Sequence, residues 1–177
     1  MKPLRGSKGM LYEGGIRVPL LIKWPGVTQP GSSTDEAVIN VDLYPTFLEM
    51  TNIPVLESEL LDGESLVPLL KDPQSRLESR SLFWHFPAYL QKYQGMQQRF
   101  RTTPVSVIRQ GDRKLLEFFE DGHHALYNTR LDIGESNELS GSHPEKVLEL
   151  SQALHRWQKQ VQAAIPAELN PRYNPED

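Results

Sequence analysis

Three short apolar runs, Val105-Ser-Val-Ile-Arg109, Lys114-Leu-Leu-Glu-Phe-Phe119 and Ala125-Leu-Tyr127, follow one another with only turn residues between them. Gln110-Gly-Asp112 supplies the first turn and Glu120-Asp-Gly122 the second; Asp-Gly is a strong hairpin signal because glycine takes positive φ freely. Ser81-Leu-Phe-Trp-His-Phe86, closed by Pro87, reads as a further strand. The polar stretch Ala88 to Pro104 that follows is long for a structureless loop, a kind that is often functional or mobile. Strands joined in sequence by turns and one loop indicate a four-stranded antiparallel sheet.

A helix should cover it. Ser142-His-Pro-Glu145 has the S-x-x-E form of a capping box, and Val147, Leu150, Leu154, Trp157 and Val161 then recur at three- and four-residue steps. That stripe is core. The chain before the sheet has a different texture. Arg17-Val-Pro-Leu-Leu-Ile-Lys-Trp24, ended by Pro25-Gly26, predicts a buried strand whose regular part begins at Leu20, after Pro19. Asp42 to Met50 predicts a short helix with Asp42 as N-cap, Leu43, Phe47 and Met50 on one face, and Asn52 or Ile53-Pro54 at its end. Asp62-Gly63 turns the chain toward Leu66–Leu70, and the charged segment Lys71 to Arg80 contains the expected boundary. The division is residues 1–74 and 75–177.

Charge separates the parts further. Lys2, Arg5, Lys8, Arg17 and Lys23 face a single acid, Glu13, whereas Pro25 to Leu70 holds eight acids and no Lys, Arg or His. A basic beginning suggests an anion site or, more blandly, a solvated face. The net charge of -4 argues against nucleic acid as a partner. No stretch approaches the roughly 18 apolar residues of a membrane span. The first residues have no apolar core of a secretory signal. The absence of cysteine removes disulfides, thiolate metal sites and cysteine nucleophiles.

The candidate chemistry lies in Leu4-Arg-Gly-Ser-Lys-Gly-Met-Leu-Tyr-Glu-Gly-Gly-Ile-Arg-Val-Pro19. Lys8, between Gly6 and Gly9, sits where backbone can approach a ligand and an ammonium can point into a cleft. Glu13-Gly-Gly15 gives a tight turn in which Glu13 can fix nearby backbone or basic groups. From these residues alone, Lys8 is either an anion ligand or a solvated lysine.

The same segment resembles the sulfatase signature, in which a Lys-Gly pair precedes Tyr-Glu-Gly-Gly, a basic residue and Val-Pro. Trp24-Pro-Gly26, the Asp-Leu-x-Pro-Thr block Asp42–Thr46 and the Asp-Gly-x-Ser-Leu block Asp62–Leu66 follow in family order. So do Ile108-Arg-Gln-Gly-Asp-Arg-Lys-Leu115, Leu126-Tyr-Asn128 and Asp132-Ile-Gly-Glu-Ser-Asn137. The matches run from Leu4 to about Trp157.

That resemblance implies an α/β, alkaline-phosphatase-like sulfatase domain of which residues 1–74 are the closing portion. Residues 75–177 would be the α+β C-terminal subdomain, the four-stranded sheet packed by the last helix. It implies a hydrolase of sulfate esters, working in the periplasm or outside the cell, with a formylglycine nucleophile and a calcium ion in the full-length enzyme. Neither the Cys/Ser-x-Pro/Ala-x-Arg motif nor the metal-ligand blocks match a position here, so no metal ligand or cofactor is assigned to this chain. Lys8 carries over, as the catalytic and substrate-binding lysine that contacts the sulfate. His85, in Phe83-Trp-His-Phe-Pro87, is either packed between aromatics or placed at the rim of the substrate pocket. Asp42 and Asp62 read as cap and turn residues, and Arg5 and Arg17 as structural or surface cations. The expected partners are a sulfate ester substrate and the missing N-terminal half of a sulfatase. Without its sheet neighbours the first part would expose apolar surface and favour self-association. A chain of this kind alone should be inactive. The alternatives are a stand-alone remnant or binding module for sulfated ligands, and a phosphoesterase of the same superfamily.

Overall fold

The computed structural model describes residues 3–56, 58–92, 94–95, 100–168 and 170–172. The chain forms two compact units, one comprising Met1–Val18 with Ser81–Asp177, the other Pro19–Arg80. Packing therefore groups the first eighteen residues with the C-terminal sheet rather than with the residues that follow them in sequence.

In the first unit, β1 (Ser81–Phe86), β4 (Val105–Gln110), β5 (Arg113–Phe118) and β6 (His124–Asn128) form an antiparallel sheet in that order. The mixed α/β architecture, with its four antiparallel strands and C-terminal helix, is the one expected. Gly111, at φ +56°, and Asp112 close the tight β4–β5 hairpin, where Gln110 faces Arg113. Within the long polar loop, β2 (Leu90–Gln91) pairs with β3 (Phe100–Thr102), so part of it is a small ribbon. Residues 93 and 96–99 of that loop lie outside the described set.

The sheet is covered on both faces, which is why β5 reads as a continuous buried run rather than an alternation. On one face Ile108, Leu115 and Leu126 pack against Leu150 and Leu154 of α4 (Pro144–Gln160), with Phe83 stacked on Trp157 at 4.7 Å. The stripe meets the sheet as expected, except at its last member, Val161, which is half-exposed. On the other face Val105, Val107, Leu116, Ala125 and Tyr127 pack against Leu11 and Tyr12, from the loop around Lys8. The capping box does not form. His143 is the N-cap residue, and the Ser142 hydroxyl donates to the Leu139 carbonyl instead.

Residues 17–24, of which 19–24 belong to the second unit, form no strand; Leu21 is 91% exposed and Leu20 about half exposed. A strand is stabilised by ladder partners, and none pairs with this run among the described residues. Helix α2 spans Leu43–Met50 and ends at Asn52, whose φ of +55° breaks the helical path. It buries Pro45 and Thr46, not Phe47, which is exposed. Asp42 stands at the N-cap position of α2 as expected, but its carboxylate makes no capping bond there and instead accepts the Ile39 N–H of the preceding 3-10 turn. Thr46 explains the buried face, since its hydroxyl donates to the Asp42 carbonyl (2.6 Å) and accepts the Leu66 N–H (2.9 Å). That contact seats the segment before α3 (Val67–Lys71).

Candidate functional site

Lys8 is exposed, in a turn where Ser7 O accepts the Met10 N–H at 2.9 Å. The loop closes on itself, because Gly14 N donates to Arg5 O at 2.7 Å. Close approach of backbone explains the glycine pair. A Cβ on Gly14 would stand 2.5 Å from Arg5 O, and one on Gly15 1.9 Å from Met10 O. The single turn α1 (Glu13–Ile16) then leads the chain away. Arg101, on β3, donates through Nη1 to the Lys8 carbonyl at 3.3 Å. The Lys8 ammonium itself has no hydrogen-bond or ionic partner among the described residues.

The loop is fastened to the sheet by charge. Lys114 of β5, wholly buried, places Nζ 3.0 Å from Glu13 Oε1 and 2.8 Å from Glu135 Oε1. Glu135 Oε2 accepts the Glu13 N–H at 2.7 Å. Burial pushes the Glu135 carboxyl up, against the opposing pull of the Lys114 cation. Arg5 supplies a second tie, donating to the Tyr127 hydroxyl (2.8 Å) and the Glu135 carbonyl (3.1 Å) while its guanidinium lies 4.0 Å from the Tyr12 ring centre. Burial raises the Tyr12 hydroxyl to about 12, against the lowering effect of Arg5, so it stays neutral. Arg17, half-exposed, lies 3.8 Å from Glu13.

His85 is on the opposite face of the sheet, alongside Phe83 and toward α4. Its Nε2 donates to the Ala164 carbonyl (3.0 Å), which leaves Nδ1 to accept from the Ser106 hydroxyl (2.6 Å). Both ring nitrogens are engaged, and the structure does not bring His85 together with Lys8. Ser106 also accepts from Gln158 of α4, which reaches Glu117 on the neighbouring strand. Glu117 draws the remaining histidines of this face: His155 Nε2 lies at 2.6 Å and His124 Nε2 at 3.5 Å. Burial alone would raise its carboxyl, but these imidazoles and Gln158 hold it down to about 2. His123 pairs with Asp121 in the hairpin turn, and His143 with Ser142.

In the second unit Asp42 is fully buried and bound bidentately by Arg80, while Asp62 is exposed. Lys114, Glu135, Arg101, Glu117 and Arg80 were not singled out from the sequence. Lys114 and Glu135 nevertheless stand inside the motif blocks that carry the resemblance. A calcium ion takes six to eight oxygen ligands. Among the described residues no group of three His, Asp or Glu side chains could hold a metal ion, and the chain has neither a cysteine nor a Ser-x-Pro/Ala-x-Arg match that could mature into formylglycine. These residues fit neither group.

The sheet with its C-terminal helix and the fastened lysine loop define the C-terminal region of an alkaline-phosphatase-like sulfatase, the architecture shared with solved sulfatases. Over residues 7–164 the chain matches the family described as N-sulphoglucosamine sulphohydrolase, C-terminal, and it belongs to the sulfatases. It is 37% identical over 169 residues to a sulfatase of Formosa agariphila, covering 88% of this chain and 29% of that protein. It is 40% identical over 86 residues to human steryl-sulfatase, covering 49% of this chain and 15% of that one. A solved structure of BT4656 in complex with its substrate, D-glucosamine-2-N,6-O-disulfate, superposes with a TM-score of 0.61 at 26% identity, over 84% of this chain and 29% of that one. The chain thus spans less than a third of the length of these relatives.

Proposed function

We propose that this chain is the closing portion of a sulfate ester hydrolase and that Lys8 contacts the substrate's sulfate. The observation that carries this reading is the contrast around Lys8: a loop fastened by its neighbours presents an exposed ammonium that no side chain neutralises among the described residues. A fixed ammonium offsets negative charge on the sulfuryl oxygens and on the leaving oxygen as the S–O bond breaks. The nucleophile and the calcium ion, where the family's chemistry requires them, come from residues outside these 177. By itself the chain turns over no sulfate ester, since it supplies no activated nucleophile.

Two measurements test the reading. The coding DNA upstream of Met1 should contain an in-frame Cys/Ser-x-Pro/Ala-x-Arg motif; its absence would defeat the hydrolase reading and leave the binding-module alternative. In the complete enzyme, Lys8→Ala should slow turnover of nitrocatechol sulfate by about a hundredfold or more, the scale of one lost oxyanion contact. An unchanged rate removes Lys8 from the site.

A further inference from the structure

We infer that Lys114 is a positioning residue for Lys8: with Glu13 and Glu135 it forms a buried ionic clasp that fixes the lysine loop on the sheet. The consequence for sulfate rests on the function proposed above; the clasp itself does not. Three observations carry it.

The first is where the charges are. Lys114 and Glu135 are 0% exposed and Glu13 is 2% exposed, so each has given up its hydration. A buried ion cluster is no more stabilising than well-packed apolar residues of similar volume, whereas removing one member leaves an uncompensated charge. Its physical effect is to make one arrangement of the loop far better than its neighbours, because a small slip would separate Nζ from its carboxylates.

The second is what the cluster touches. Glu135 binds the loop on both sides of Lys8: its carboxylate takes the Glu13 N–H, and its carbonyl takes the Arg5 guanidinium. Glu13 follows Lys8 by five residues and Arg5 precedes it by three, with Gly14 N bonded to Arg5 O between them. The ends of the loop are pinned at one point, and Arg101 holds the Lys8 carbonyl directly.

The third is strain. Glu135 stands at φ +50°, a left-handed conformation that a residue with a Cβ keeps only when its surroundings hold it there.

Amide hydrogen exchange on the whole chain tests the clasp. Lys114→Met keeps the length and apolar stem of the side chain and deletes its charge. Exchange at Met10, Gly14 and Gly15, whose N–H groups are bonded within the loop, should then rise by at least about tenfold, while Ile108, Leu115 and Leu126 in the sheet core keep their protection, as local opening separates from global unfolding. A part that is merely structural would lose loop and core protection in parallel, and that result would overturn the inference. So would unchanged loop exchange. In the triple variant Lys114→Met/Glu13→Gln/Glu135→Gln no buried charge is left unpaired, and the half-exposed Arg17 turns to solvent, so core protection should be that of the parent while the loop stays fast. This variant decides the matter where the single substitution does not fold; recovery of loop protection in it, or its own failure to fold, counts against the clasp. Sodium sulfate titrated against sodium chloride gives the second readout, at the amide signals of Gly6 to Gly9. The response should weaken by about tenfold in Lys114→Met, a loss on the scale by which remote residues modulate a site. A parent protein that shows no sulfate response refutes the role proposed for Lys8, and the exchange result stands or falls separately.

Discussion

Replacing Arg80 by alanine strands a buried carboxylate, and the cost can be worked from its surroundings. Asp42 accepts Arg80 Nη1 at 2.6 Å and Nη2 at 2.5 Å, together with the N–H groups of Ile39 (2.8 Å) and Glu64 (3.1 Å). Burial pushes the Asp42 carboxyl up, but Arg80 and the two amides outweigh it and hold the group below the usual carboxylate range. Removing one partner of a buried ion pair costs about 3–5 kcal/mol. Two amide donors remain after the substitution, and the Arg80 side chain is 21% exposed, so water can partly replace it. The lower end applies, about 3 kcal/mol. Because the chain has two compact units, a single melting curve is not the right assay. Amide exchange resolves them. At Ile53, whose N–H donates to Leu48 O at the end of α2, exchange should accelerate on the order of a hundredfold, the equivalent of that energy. Leu115 and Leu126 in the sheet should not respond. An acceleration of Ile53 below about fivefold would mean the pair contributes no more than an ordinary surface bridge, and the reasoning from burial fails.

Acid stability should carry the signature of Glu117. Its carboxyl is held down from 4.5 to about 2, so the folded pKa is below the unfolded one; the stabilisation is complete above about pH 4.5 and is lost as pH falls through 2. The shift sets an upper bound of about 3 kcal/mol, and Glu117→Gln should flatten the acid limb of a stability-against-pH curve; an unaltered limb refutes the assignment. Gly15→Ala should disturb the lysine loop, because the new Cβ meets Met10 O at 1.9 Å, backbone that no rotamer change can move. We expect amide exchange at Met10 and Gly14 to accelerate on the order of a hundredfold, the equivalent of about 3 kcal/mol of strain, and an acceleration below about twofold would contradict it.

Much of the sheet was legible because its information is local. Gly111-Asp112 and Asp121-Gly122 fix their hairpins within a few residues, and pairing then follows in register. Readings failed where a local signal competed with a distant partner. Asp42 has the residue type and position of a helix cap, yet Arg80, 38 residues away, claims its carboxylate. Ser142 looks like the start of a capping box, but a nearer carbonyl, that of Leu139, takes its hydroxyl. The run Arg17 to Trp24 has strand composition but no ladder partner among the described residues, and composition alone does not make a strand.

The motif blocks sharpen this into a physical point. Glu13, Lys114 and Glu135 come from three separate blocks, up to 122 residues apart, and meet in one buried cluster. Asp42, Thr46 and the amides of Glu64 and Leu66 join two further blocks in the same manner. Several of the residues that made the family recognisable, Glu13, Asp42, Thr46, Lys114 and Glu135 among them, are fasteners. Their spacing is legible in sequence, but their partners are set by the tertiary fold. Lys8 and Lys114 show what this means for reading chemistry. Both are lysines inside family motifs, and nothing in residue type separates them. Burial does: Lys114 is wholly buried with its ammonium between two carboxylates, whereas Lys8, on the loop those carboxylates secure, is exposed and has no ionic partner among the described residues. Under the reading proposed above, the exposed lysine is the one that meets the sulfate, and the buried ion cluster of Lys114, Glu13 and Glu135 is what holds its loop in place.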